Sequence, residues 1–312
     1  AIDVPSIKFN LRGEPLLHPE LPEFISYAKR KGILETGINT NATMLTEKTS
    51  RRLIKSGLDV IIYSFDGGTK NTYENMRPGR FKKNSFEDVI SNIKNFSEIK
   101  RTMKSVFPIT KIQMVLTNDT RKEINEFFKL FNGIVDDVTV TPYSERGGNL
   151  EDLSLEQKKR LTKYLEKENL PIDTPYMVEA HEKISISTKR KSCEQIFQRL
   201  MITYDGRVAM CCMDWGAQHC IGYIDKSAQN IDKTLKELKD KIQKNKSGFE
   251  LLKNAKFPQK FNEPKFEIKK IKELWNGAEI NKVRKIHHKA ELNNIDICKK
   301  CDFKDTYLWR EI

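Results

Sequence analysis

Through the first half of the chain, short apolar runs alternate with segments whose apolar positions recur every three to four residues. The runs Ser6 to Asn10, Ile33 to Asn39, Val60 to Ser64, Lys111 to Thr117 and Asp137 to Thr141 read as strands. Each is followed by a loop and then a helical pattern, at Leu21 to Lys31, Glu47 to Ser56, Ser85 to Phe96, Arg121 to Phe131 and Leu155 to Glu168. Repeated strand-helix units of this length predict parallel strands with helices outside, in either a doubly wound sheet or part of a barrel. In both architectures chemistry gathers on the loops that follow the strands.

Those loops are small, polar and turn-forming. Arg12-Gly13-Glu14-Pro15 follows the first strand, Thr40-Asn41-Ala42 the second and Ser64-Phe65-Asp66-Gly67 the third, so they converge on one rim. The stretch RGEPLLHP sets a carboxylate and a proline directly behind a buried strand, which raises the question of what the carboxylate serves.

From Pro171 to Ser192 the pattern weakens, and this segment reads as a linker between a domain at 1–170 and a second at 193–312. The second opens on a predicted hairpin: Leu200 to Thr203 and Val208 to Cys212 flank the Asp-Gly turn Tyr204-Asp205-Gly206-Arg207. Helices are predicted at Ile231 to Asn245 and Ile280 to His288, around a basic segment. No internal repeat is evident.

A length of 312 residues suffices for one large α/β domain and a smaller one. With no long apolar run and no signal peptide, the pattern predicts a soluble, cytoplasmic protein without a membrane partner. The formal charge of +13 invites a nucleic-acid reading. The lysines, however, alternate with glutamates and asparagines along helices instead of forming one stripe with aromatics, which argues against that partner.

The cysteines change the picture more. All six lie beyond residue 190, which implies two parts and favours metal or redox chemistry over disulfides in a cytoplasmic chain. Cys193 precedes Gly206 and Cys211 in the pattern Cys-x12-Gly-x4-Cys, and Cys298-Lys299-Lys300-Cys301 stands near the end. Two thiolates one turn apart can face one ion or cluster, so Cys193, Cys211, Cys298 and Cys301 make a complete four-thiolate metal site. Neighbours on a strand face opposite ways. Cys211 is therefore taken from its spacing to Gly206, with Cys212 a buried spare and Cys220 a small core residue. Spacing alone leaves zinc and iron-sulfur chemistry both open.

Together, RGEPLLHPEL, INTNATML, SFDGGTKNTYENMRPG, Cys193-x12-Gly206-x4-Cys211, CCMDW running into IGYI, ELWNG and the final CKKC resemble the radical S-adenosylmethionine (SAM) enzymes that carry a C-terminal SPASM or twitch auxiliary-cluster domain. The resemblance covers almost the whole chain. It implies a partial six-stranded (β/α) barrel of the TIM type followed by a small α+β iron-sulfur domain. It also implies that Glu14 holds the amino group of SAM, that Ser64 and Arg77 hold its carboxylate, and that Thr40, Asn41 and Asn118 line the neighbouring strand ends. Those residue types suit a zwitterion, which needs an anion for its ammonium and donors for its carboxylate. Arg12 and Ala42 depart from the family's usual glycines, and alanine is less free than glycine to adopt positive φ.

The Cys-x3-Cys-x2-Cys loop that holds the SAM-cleaving [4Fe-4S] cluster in the family has no counterpart before Cys193. The chain opens on Ala1, and the expectation is that this strand and loop lie upstream, so that the chain alone is inactive. The resemblance implies that a reduced cluster there splits SAM to a 5′-deoxyadenosyl radical, which abstracts a substrate hydrogen. It further implies one auxiliary [4Fe-4S] cluster on the four cysteines as electron acceptor, an external donor of flavodoxin or ferredoxin type, and oxidation or crosslinking of a peptide or small polar substrate.

Asp66, Glu145, Arg146 and Asp214 are candidates for proton transfer by position, with Asp66 and Asp214 foremost. The segment Lys253 to Lys272 reads as a solvated insertion or a dock for an acidic peptide or phosphorylated substrate. His287 and His288, on a basic helix, read as surface residues. Two competing readings are a non-catalytic protein that keeps a SAM-like site and a structural zinc module, and a zinc-stapled nucleic-acid binder.

Overall fold

The computed structural model describes residues 4–10, 13–79, 85–142, 154–170, 176–178, 183–214, 217, 219–225, 268–299, 301 and 307–312. The chain forms two compact units, Ala1–Tyr143 and Ser144–Ile312.

In the first unit, β1 (Ser6–Lys8), β2 (Glu35–Thr40), β3 (Val60–Ser64), β4 (Ile109–Leu116) and β5 (Asp137–Pro142) make one sheet in sequential order. Every neighbouring pair is parallel. A doubly wound sheet reverses its strand order at a switch point, whereas sequential order is that of a barrel wall. Ile38, Ile61, Tyr63, Ile112 and Met114 are buried on one face of this sheet. They share a core with residues of α1 (Leu21–Arg30), α2 (Glu47–Lys55), α4 (Phe86–Thr102) and α5 (Ile124–Phe131). Between β3 and α4 lies α3 (Lys70–Met76), which the hydrophobic pattern did not predict. Helix starts are fixed locally: the hydroxyls of Thr46, Thr69 and Ser85 accept from the amide three residues on.

The sheet's other rim, away from the loops that follow the strands, is stapled twice in the same way. Asp59 Oδ2 accepts from the Thr36 amide at 2.7 Å, Thr36 Oγ1 at 2.9 Å and Lys29 Nζ at 2.8 Å. Asp136 Oδ2 accepts from the Thr110 amide, Thr110 Oγ1 and Lys100 Nζ, each at 2.8 Å. Burial by itself raises both carboxyls, but the lysine and threonine donors outweigh it, and both lie below the ordinary aspartate value.

The second unit begins with α6 (Leu155–Lys167), started by a capping box between Ser154 and Gln157. β6 (Tyr176–Val178), β7 (Ile184–Arg190) and β11 (Tyr307–Glu311) form an antiparallel sheet in the order β11-β7-β6. Leu161 and Leu165 pack with Ile184 and Ile186. Two strands, β6 and β7, fall within the segment expected to be a linker at 171–192, and α6 lies in the second compact unit.

The cysteine module comprises α7 (Gln195–Gln198), the sheet of β8 (Met201–Ile202), β9 (Arg207–Ala209) and β10 (Cys220–Tyr223), and the helices α8 (Ile271–Trp275), α9 (Ala278–His288) and α10 (Asp296–Lys299). The hairpin β8-β9 turns at Gly206, whose φ of 84° suits glycine. β9 ends at Ala209, so Cys211 and Cys212 stand in the following turn, where the Asp214 amide donates to the Cys211 carbonyl at 3.2 Å, and not on a strand. The helix expected at Ile231 to Asn245, Arg12, Glu145, Arg146 and most of Lys253 to Lys272 lie outside the described residues.

Candidate active site and cluster site

The loop after β1 and the end of β2 meet at Glu14. Its Oε1 accepts from the Leu16 amide at 3.0 Å and from Thr40 Oγ1 at 2.7 Å, and its Oε2 accepts from the Asn41 amide at 2.8 Å. Glu14 thus starts the short 3-10 turn Pro15–Leu17 and also ties two strand ends together. An ionised carboxylate has about four lone-pair sites. Three donors leave it room for one more, as an ammonium ligand requires.

Nearby polar groups have unused capacity. Asn39 donates its amide to Asn10 Oδ1 at 2.8 Å, while its own Oδ1 is buried without a partner. Ser64, half-buried at the end of β3, makes no side-chain hydrogen bond among the described residues, and Asn118 is exposed beyond β4. Asn41 Oδ1 instead accepts from the amide and hydroxyl of Thr43. Ala42 takes φ 61° while fully buried, the conformation that glycine would reach more easily. A buried orphan acceptor, a spare hydroxyl and a pinned carboxylate fit a polar, zwitterionic ligand.

The face of the sheet opposite the helices is polar. Register sets Asn39 beside Ile62, Ile62 beside Lys111, Ser64 beside Gln113, and Gln113 beside Thr139. All are only half-buried. Lys111 pairs with Asp137 at 3.1 Å, and Gln113 Nε2 donates to Thr141 Oγ1 at 2.8 Å. Parallel sheets are ordinarily apolar on both faces, so a half-open polar face marks the side on which a substrate can lie. Sequence reasoning missed these residues, although the alternation Lys111-Ile112-Gln113-Met114 and Asp137-Val138-Thr139-Val140 displays them at period two.

Asp66 is buried and engaged. Oδ2 accepts from Arg77 Nε at 2.8 Å and Nη2 at 2.6 Å, and Oδ1 accepts from the Val115 amide at 2.8 Å. These bonds hold Arg77 at the end of α3 and leave the rest of its guanidinium donors for other work. Its contacts, to a guanidinium on one oxygen and a backbone amide on the other, are those of a positioning group. Beside it, Gly67 and Gly68 are needed sterically: a Cβ on Gly68 would stand 2.5 Å from the Glu123 carbonyl oxygen. The Glu123 carboxylate accepts from the amides of Gly68 and Thr69 and the hydroxyls of Thr69 and Thr72, fixing the loop that precedes α3.

In the second unit Cys193, Cys211, Cys298 and Cys301 are all buried in one apolar core, with Ile196, Val208 and Leu274 among its members. The Cys301 amide donates to the Cys298 carbonyl at 3.2 Å, closing the Cys-x-x-Cys turn. Burial pushes the Cys211 thiol well above its ordinary value, with Cys212 and Cys298 adding to the effect. Thiolates there call for a cationic partner. Among the described residues no three His, Cys, Asp or Glu side chains converge closely enough to share a single metal ion.

Other residues of the module depart from expectation. Cys212 packs against the core but is half-buried, with Sγ 3.8 Å from Gln195 Oε1, and is not the buried spare expected. Cys220 is half-buried on β10 and donates to the Gly222 carbonyl at 3.1 Å. Asp214 is 1% exposed and accepts from the His219 amide at 2.9 Å, which organises the turn beside Cys211. His288 is exposed, but His287 is 1% exposed and lies among the cysteines, which corrects its reading as a surface residue. Its signal was the spacing of Ile280, Val283 and His287 along one face of α9.

A pinned carboxylate at the strand ends of a parallel sheet and a module of buried thiols occur in one chain. Residues 11–131 match the family model of the radical SAM superfamily, and residues 193–254 match that of SPASM, an iron-sulfur cluster-binding domain. The chain thus carries a radical SAM domain segment followed by a SPASM iron-sulfur segment. It is 40% identical over 67 residues to a probable GTP 3′,8-cyclase of Methanococcus maripaludis, covering 20% of this chain and 22% of that protein. It is 28% identical over 137 residues to the tungsten-containing aldehyde ferredoxin oxidoreductase cofactor-modifying protein of Pyrococcus furiosus, covering 43% of this chain and 37% of that one. The chain thus spans well under half the length of these curated relatives. Among solved structures, BtrN in complex with AdoMet and 2-DOIA is 15% identical with a TM-score of 0.39, over 97% of this chain and 76% of that one. Streptococcus suis SuiB bound to precursor peptide SuiA is 16% identical with a TM-score of 0.44, over 69% of this chain and 50% of that one. Among the described residues no helix is long and apolar enough to cross a membrane.

Proposed function

We propose that this chain provides the SAM-binding wall and one auxiliary [4Fe-4S] cluster of a radical SAM oxidoreductase that oxidises or crosslinks a peptide or small polar substrate. The observation that carries the reading is Glu14, held by Thr40 and Asn41 at the rim of a half-open polar sheet face. Glu14 binds the ammonium of SAM; Ser64 and an Arg77 oriented by Asp66 receive its carboxylate; Asn39 Oδ1 accepts from a ligand donor. Bound SAM, once split by one electron from a reduced [4Fe-4S] cluster into methionine and a 5′-deoxyadenosyl radical, would supply the radical that abstracts a substrate hydrogen. The substrate lies along Lys111, Gln113, Thr139 and Thr141, and the mixture of a cation, an amide and hydroxyls favours a polar molecule over a lipid.

Cys193, Cys211, Cys298 and Cys301 hold the auxiliary cluster, and Asp214 shapes the turn that presents Cys211. The test is anaerobic reconstitution with iron and sulfide, comparing the wild type with a Cys298→Ala, Cys301→Ala double variant. About four irons per chain in the wild type, lost in the variant, is the expected result. Stoichiometric zinc with no iron uptake would turn the module into a structural staple and remove its electron-transfer role.

A further inference from the structure

The imidazole of His287 bridges two of the four cysteines. The Cys193 amide, 94 residues earlier, donates to His287 Nδ1 at 3.3 Å, and His287 Nε2 stands 3.4 Å from Cys298 Sγ. An amide can only donate, so Nδ1 is the acceptor and carries no proton. A neutral imidazole has one N–H, which must therefore sit on Nε2 and point to the Cys298 sulfur. The neutral tautomer that keeps both contacts thus carries its proton on Nε2.

We propose that His287 is a positioning residue for the auxiliary cluster: its Nε2–H donates to Cys298 Sγ, orients that ligand, and raises the cluster's reduction potential. The inference rests on the cluster reading given above. Reduction adds negative charge that is shared with the ligand sulfurs, and an N–H···S bond strengthens as that charge grows. The reduced state therefore gains more from His287 than the oxidised state does. Burial magnifies the difference, because no water replaces the bond at a residue 1% exposed. The Cys193 contact holds the ring in place, so one side chain couples the first ligand of the set to the third.

The experiment uses the full chain reconstituted anaerobically with ferrous iron and sulfide, as wild type, His287→Gln and His287→Leu. Gln keeps an N–H donor at the same reach, and Leu removes it. The readouts are iron per chain, the midpoint potential from a redox titration followed by electron paramagnetic resonance, and the coupling of an exchangeable proton to the cluster after transfer to D2O. The expected result is a negative shift of midpoint potential and loss of the exchangeable coupling in His287→Leu, with His287→Gln close to wild type and iron unchanged. If His287→Leu alone loses iron while His287→Gln retains iron, potential and coupling, the donor role also stands. An unshifted potential in an iron-replete His287→Leu overturns the inference alone. Iron loss in both variants overturns it in favour of direct ligation or a purely structural role. A wild type that takes up no iron overturns the cluster reading, and the inference with it.

Discussion

Thr40 Oγ1 donates to Glu14 Oε1 at 2.7 Å across 26 residues of sequence, joining the loop after β1 to the end of β2. With the Leu16 and Asn41 amides, it fixes the carboxylate before any ligand arrives. Glu14→Gln keeps one oxygen for Thr40 and Leu16 but loses the charge and turns an amide NH2 toward the Asn41 N–H. A hydrogen bond to a charged group contributes about 1.5 to 3 kcal/mol. SAM affinity measured by calorimetry should therefore fall roughly tenfold to a hundredfold, with thermal stability changed far less. Unaltered SAM affinity would remove Glu14 from the ligand site.

The strands and helices of the first unit were legible because each carries its own signal: apolar runs of strand length, hydroxyl N-caps, and turn residues at the strand ends. β3 falls on Val60–Ser64 as predicted. What escaped depends on distant partners. β7 reads as a weak polar segment, Ile184-Ser185-Ile186-Ser187, until β11 pairs with it from more than a hundred residues away. α3 is short and mostly polar, and it is positioned by Glu123 from across the sequence rather than by its own periodicity. His287 was hidden by its neighbours Lys285 and His288, whose charge suggests a surface although the apolar face of α9 runs through it. The paired state of Asp66 with Arg77 is a matter of geometry that no spacing reveals.

The staple at Asp59 makes the first unit sensitive to acid. Its folded value lies below the ordinary aspartate value of 3.8, so its contribution is complete above that pH and is lost as pH falls through the depressed folded value. Asp59→Asn removes the ion pair with Lys29 and weakens the bonds to Thr36. We expect a loss of about 1 to 3 kcal/mol near neutral pH, together with a shallower decline of stability from about pH 4 downward. Urea unfolding of both proteins across that range checks it. Parallel acid limbs would show that Asp59 is not a source of the pH dependence. Asp136 repeats the geometry with a side chain 45% exposed, so solvent screening should make Asp136→Asn the milder variant.

Adjacent Cys211 and Cys212 separate by environment. Cys211 is buried in the core that holds Cys193, Cys298 and Cys301, whereas Cys212 is half-buried beside Gln195. A cluster iron needs a thiolate in the shared core, where Cys211 is buried, whereas Cys212 packs at the edge of that core with its sulfur 3.8 Å from Gln195 Oε1. Cys212→Ala should therefore bind iron like the wild type, while Cys211→Ala should lose iron or retain an incomplete cluster with altered electron paramagnetic resonance. Because Cys211 is buried and Cys212 half-buried, thermal unfolding of both apo variants separates loss of a ligand from loss of the fold. Iron loss confined to Cys212→Ala would exchange the two assignments and require the turn after β9 to rearrange when the cluster is built.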